Sequence, residues 1–118
     1  MPASSKKYDL EDRTFEFAKK ARAFVKELNK CLGNIEDGKQ LIRSSGSVGA
    51  NYIEANEALS KKDFLMRIKI CRKEAKESHY WLKLVDVNNS NLEQERELLR
   101  AEASELTHIF GAIVTKSQ

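Results

Sequence analysis

Proline is almost absent from this chain: there is one, at position 2, with only five glycines in 118 residues. So few breaks favour long helices over many short strands, because nothing forces the backbone to turn every few residues. Long apolar runs are missing too. None approaches the ~18–20 residues that span a bilayer, and the polar residues 1–9 lead into no apolar core of a secretion signal. The expected setting is cytoplasmic, without a membrane partner. Cysteine is scarce: Cys31 and Cys71 both fall within helical patterns and form no CxxC or Cys/His cluster. They read as reduced, packed thiols.

The chemistry-bearing motifs are missing as well. A di-iron bundle needs Glu-x-x-His on two helices. Glu105-Leu106-Thr107-His108 supplies one, but in Lys76-Glu77-Ser78-His79 the glutamate stands only two positions before the histidine. No metal or other cofactor is expected. Ser44, Ser45 and Ser47 have no triad context and no GxSxG elbow, and Gly46-Ser47-Val48-Gly49 is neither GxGxxG nor a phosphate-binding loop. No catalytic residue can be assigned, so the chain is not read as an enzyme. Charge of one sign is also in short supply, with 21 basic and 18 acidic residues for a net +3. The total does not establish nucleic-acid binding; its distribution has to.

What remains is helical periodicity over one domain, residues 1–118, with 1–7 expected as a flexible tail. Asp9 can cap a first helix whose stripe is Leu10, Thr14, Phe17, Ala21, Phe24, Leu28 and Cys31, widened by Ala18, Val25 and Leu32 and ending near Leu32-Gly33-Asn34. Phe15 lies beside that stripe. A second helix over about Ile35–Leu59 has the stripe Leu41, Ser45, Val48, Tyr52, Ala55 and Leu59. Ser60 with Asp63 resembles a capping box for a third helix, whose core face is Phe64, Ile68, Cys71, Ala75, Ser78, Leu82 and Val85. Asn88-Asn89-Ser90-Asn91 reads as a turn, and Ser90 with Glu93 as the cap of a fourth helix. Its stripe is Leu92, Arg96, Leu99, Ala103, Leu106, Phe110 and Ile113, widened by Leu98, Ile109 and Ala112, and it fades by Lys116. Short connections between long helices predict an all-α, antiparallel up-down-up-down four-helix bundle.

Residues Arg43–Ala55 stand out within this pattern. Gly46 and Gly49 each cost a helix interior about 1 kcal/mol against alanine, so close approach of a neighbouring backbone or a ligand is expected there. The polar set Arg43, Asn51 and Glu54 has two readings. It ties helix two to helix one or three through hydrogen bonds and ion pairs, or it meets a ligand or partner.

Helix three is the basic one. Lys69, Arg72, Lys73 and Lys76 can form a phosphate-contacting stripe. The alternative is a solvated face on which lysines pair with Glu74 and Glu77. A second apolar row, Met66, Ile70, Trp81 and Leu84, points away from the core face, and a helix apolar on two sides is buried on two sides. A bundle of four leaves little room for that within one chain, so the row is read as a contact between copies.

The segments Ile42-Arg43, Ser45-x-Ser47-x-x-Ala50-Asn51-x-x-Glu54, Asp63-Phe64, Arg67-Ile68 and Arg72-Lys73-Glu74-Ala75-x-Glu77 through Trp81-Leu82 carry a resemblance. The chain resembles the small bacterial four-helix-bundle proteins related to those encoded in intervening sequences of 23S rRNA genes. It departs from many members at Ala55, where they have glycine. The family is similar in turn to the accessory variability proteins of diversity-generating retroelements, basic barrels that bind nucleic acid. The resemblance implies an up-down bundle, a ring-like homo-oligomer with pentamers favoured, and an association with rRNA or another structured nucleic acid. The expected role is a non-enzymatic binding or scaffold module; the alternative is a purely structural or protein–protein assembly without nucleic acid.

Overall fold

The computed structural model describes residues 9–118, so the tail expected over 1–7 lies outside the described residues. Four helices follow in order: α1 Leu10–Glu27, α2 Leu32–Asn56, α3 Lys61–Leu84 and α4 Ser90–Ser117, with no strand among the described residues. Each helix packs on the one that follows it, and α1 closes the ring against α4. Contacts show the directions. Thr14 meets Gly49 while Val25 meets Gly38; Arg43 reaches Glu74 while Asn51 reaches Arg67; Arg96 reaches Val85 while Gly111 faces Arg72. In every pair the residue numbers run in opposite senses, which is the up-down-up-down bundle the periodicity predicts.

The core follows the heptads. Phe17, Ala21, Phe24, Leu41, Val48, Ile68, Cys71, Ala75, Leu82, Leu99, Ala103, Leu106 and Phe110 are buried. Each large side chain among them contributes about 1.5–3 kcal/mol by leaving water. Across the diagonal between α2 and α4, Tyr52 and Phe110 bridge the interior with tilted rings 5.9 Å apart. At the α1–α4 closure, Arg13 forks onto Glu102 at 2.7 and 2.9 Å and also reaches Glu105. The hydrogen bond to Glu102 is the main reason its guanidinium pKa rises.

The helix ends differ from expectation in four places. α1 stops at Glu27, with Leu28 extended and buried as its cap, and α2 starts at Leu32. Cys31 is therefore the exposed N-cap of α2 and Leu32 is 77% exposed, so neither extends the α1 stripe. Cys71 is the packed thiol; its Sγ donates to Val48 O, and burial pushes its pKa up to about 12. α2 ends at Asn56, leaving Leu59 in the following loop and 99% exposed rather than in the core. The α4 cap is Asn89, whose side chain accepts from Leu92 N–H at 2.8 Å, one residue before the expected Ser90. On α4, Leu98 and Ala112 are exposed and do not widen the core face. Asp9 and Ser60 cap α1 and α3 as expected.

Candidate functional site

Small residues on the core side of α2 set the distance to its neighbours. A Cβ on Gly49 would lie 3.0 Å from Thr14 Oγ1, and one on Gly38 would lie 2.9 Å from Val25 Cγ1. Close approach thus accounts for Gly49. Gly46 is different: a Cβ there would lie 3.8 and 3.9 Å from the Arg22 guanidinium nitrogens, and no backbone of another helix would crowd it. Towards α3, the buried hydroxyls of Ser44 and Ser78 share a hydrogen bond of 2.8 Å, with Ser78 also donating to Glu74 O.

The polar set Arg43, Asn51 and Glu54 is not one cluster. Arg43 Nη1 pairs with Glu74 at 3.2 Å, Nη2 with Glu77, and Nε donates to Gln40 at 3.1 Å. Further along α2, Asn51 accepts from Arg67 at 2.9 Å while its amide donates to Ser47. These are two separate ties between α2 and α3. Glu54 is exposed, and its side chain makes no ion pair among the described residues.

Arg43 determines what α3 shows to solvent. Glu74 is buried and Glu77 half-buried, both turned to Arg43, and Asp63 is half-buried in the first turn. The exposed positions of α3 are then Lys61, Lys62, Lys69, Lys73, Lys76 and Lys83 together with Met66, Tyr80 and Leu84, and no acid is among them. No lysine of α3 forms an ion pair among the described residues, so pairing with Glu74 and Glu77 does not occur. The outer face is more basic than the helix's composition suggests. Of the expected stripe, Lys69, Lys73 and Lys76 are on this face. Arg72 is half-buried, its Cδ 3.8 Å from where a Cβ on Gly111 would sit.

The second apolar row is divided. Met66 and Leu84 are 50% and 48% exposed, whereas Ile70 and Trp81 are half-buried. Trp81 donates its indole N–H to Glu77 at 2.9 Å and meets Tyr80 edge-on, with ring centroids 5.0 Å apart at 76°. That indole bond is the largest cause holding the Glu77 pKa below the usual carboxylate value; burial opposes it, while the Arg43 hydrogen bond and the charges of Arg43 and Lys73 add to it. For Arg43, desolvation pulls downward, but Glu77 and Glu74 raise the pKa overall. His79, half-buried behind this face, has a lowered pKa from desolvation and from the charges of Arg100 and Lys83.

The second histidine is equally bound up in structure. His108 Nδ1 lies 2.8 Å from Ser104 O, and Glu105 is engaged by Arg13. Among the described residues, no group of three or more His, Cys, Asp or Glu could hold a metal ion. No helix among them is long and apolar enough to cross a membrane.

Several contacts lay outside the sequence pattern. Asn34 is buried and binds Asp86 in the α3–α4 loop. Arg96, on the core stripe of α4, caps the end of α3 through Val85 O at 2.7 Å. Tyr80 joins the lysine face. An exposed aromatic flanked by lysines at i−4 and i+3 was the available signal for Tyr80; Asn34 and Arg96 had none.

Comparison with known proteins agrees with the geometry. None of the curated proteins matches the chain. Among solved structures, a protein of unknown function from the S23 ribosomal protein family of Bacteroides thetaiotaomicron is similar, with a TM-score of 0.73 and 29% identity. The alignment covers 88% of this chain and 96% of that one. Residues 6–112 match a family description that takes in all but the ends of the chain, and on that extent the chain belongs to the 23S rRNA-intervening sequence protein family.

Proposed function

We propose that this chain is a non-enzymatic, self-associating helical bundle that acts in the cytoplasm as a binding module for structured RNA or a ribonucleoprotein. One observation carries the reading: the exposed face of α3 holds six lysines and no acid. A polyanion that releases counterions on meeting such a row gains affinity, and the gain falls as salt rises. The family's link to rRNA genes makes RNA the first polyanion to test.

Gel shifts on rRNA fragments over a salt series test the reading. Replacing Lys69, Lys73 and Lys76 by Gln should weaken binding on all fragments and flatten its salt dependence. Equal binding by the triple variant would overturn it.

A second reading, assembly without nucleic acid, draws on the exposed Met66 and Leu84 beside half-buried Ile70 and Trp81. Family resemblance favours a pentamer, so light scattering should give five times the 13.5 kDa subunit. Leu84→Asp should lower that mass; a monomer for both wild type and variant would remove self-association from either reading.

A further inference from the structure

Tyr80 is the one aromatic residue on the exposed face of α3, 54% exposed, with Lys76 and Lys83 about one turn away on either side. An exposed tyrosine is usually free to swing. This one is propped. Its ring abuts the Trp81 indole edge-on at 5.0 Å, the indole N–H is held by Glu77, and Glu77 is held by Arg43. The ion pair between α2 and α3 thus stiffens an outward-facing ring.

We propose that Tyr80 is a stacking platform for an unpaired base, with Lys73, Lys76 and Lys83 contacting the phosphates on either side of it. This rests on the polyanion reading of the α3 face and narrows it to unpaired strands. A continuous duplex turns its backbone outward and keeps its bases stacked, so it can use the lysines but not the ring. A loop, bulge or single strand can use both, since every base has a π-face and stacking on an aromatic side chain is tolerant of sequence. An acidic protein or an anionic lipid surface could also meet lysine and tyrosine. The unpaired strand is preferred because it alone presents π-faces between successive phosphates at the spacing of one ring between lysines.

The test is fluorescence anisotropy on the full chain. The probes are oligo(U) and oligo(dT) of about 15 nucleotides, within the span of one small binding domain, and a blunt RNA duplex of the same length. Both single strands should bind more tightly than the duplex, and a preference between them would show whether the 2′-hydroxyl is read. Tyr80→Ala should weaken single-strand binding by about ten-fold or more while leaving the duplex and the salt slope unchanged. Tyr80→Phe should restore it. Lys76→Gln should do the opposite, reducing the salt slope by roughly 0.7 for the phosphate lost. Trp81 fluorescence should change with oligo(U) in wild type and not in Tyr80→Ala.

If Tyr80→Ala binds oligo(U) as wild type does, or the duplex is preferred, the platform is wrong and the lysine face survives as a duplex binder. If no probe binds in a salt-dependent way, both readings fall. Binding only to vesicles of anionic lipid also overturns both. Tyr80 is half exposed, and an unchanged melting temperature of Tyr80→Ala keeps these outcomes distinct from misfolding.

Discussion

The side chain of Asn34 and the peptide unit of Asp86 exchange two hydrogen bonds: Asn34 Nδ2 donates to Asp86 O at 3.0 Å, and Asp86 N–H donates to Asn34 Oδ1 at 2.9 Å. A third bond, to Asn29 O at 3.1 Å, draws the α1–α2 loop into the same knot. Two loops at one end of the bundle are held by one buried carboxamide.

Asn34→Ala should therefore destabilise the fold by about 1–3 kcal/mol, because it leaves backbone groups without partners as well as losing the bonds themselves. Urea denaturation checks this. Asn34→Asp should not rescue it, since a carboxylate cannot donate to the Asn29 and Asp86 carbonyls.

The two glycines of central α2 should respond oppositely to alanine. Gly46→Ala gains about 0.8–1 kcal/mol of helix propensity, the new methyl meeting only the flexible end of Arg22 at ordinary contact distance. At Gly49 the same gain is offset, because the new methyl meets Thr14, whose hydroxyl is anchored to Leu10 O at 2.8 Å and whose side chain is buried. The melting temperature should rise for Gly46→Ala and stay level or fall for Gly49→Ala. The reverse order would mean that α1 and α2 are not in this register.

Arg96 should matter through its bonds as well as its packing. Its Nη1 donates to Val85 O and reaches Leu82 O and Lys83 O at 3.4 Å, occupying the orphan carbonyls at the end of α3 where no glycine stands. Arg96→Met keeps much of the apolar stem and loses those bonds, at about 1–3 kcal/mol. Hydrogen exchange should speed up first in the last turn of α3.

Glu77 should make the fold acid-sensitive. Its folded pKa lies below the ordinary 4.5, so as pH falls through that value the unfolded chain takes up a proton before the folded one does. The stability it contributes is complete above 4.5 and is lost as pH falls through the lower folded value. Melting temperatures should show a smaller loss between neutral and acid pH in Glu77→Gln than in wild type. Trp81 fluorescence should shift in the same window, because the indole loses a charged acceptor.

The number of helices, most of their faces and the caps of α1 and α3 were written locally. Phe17 and Phe24, or Leu92, Leu99 and Leu106, repeat at the spacing that puts them on one side of any helix, whatever lies opposite. Asp9 and Ser60 bond amides two or three residues away, so the sequence alone determined them. The end of α1 was not legible. Leu32 continues the heptad, and no glycine or proline marks the stop; Asn34 draws the turn together through a loop fifty-two residues further on. The character of the α3 surface was decided at the same level. By spacing alone, Glu74 and Glu77 could pair with lysines on their own helix as readily as with Arg43. Only the antiparallel register of α2 and α3 brings Arg43 to those two carboxylates, because an ion pair between helices depends on where the neighbouring helix sits. The sequence by itself determined that α3 is basic. The packing decided that its glutamates turn to Arg43, and so that its exposed positions carry lysine and tyrosine with no acid among them.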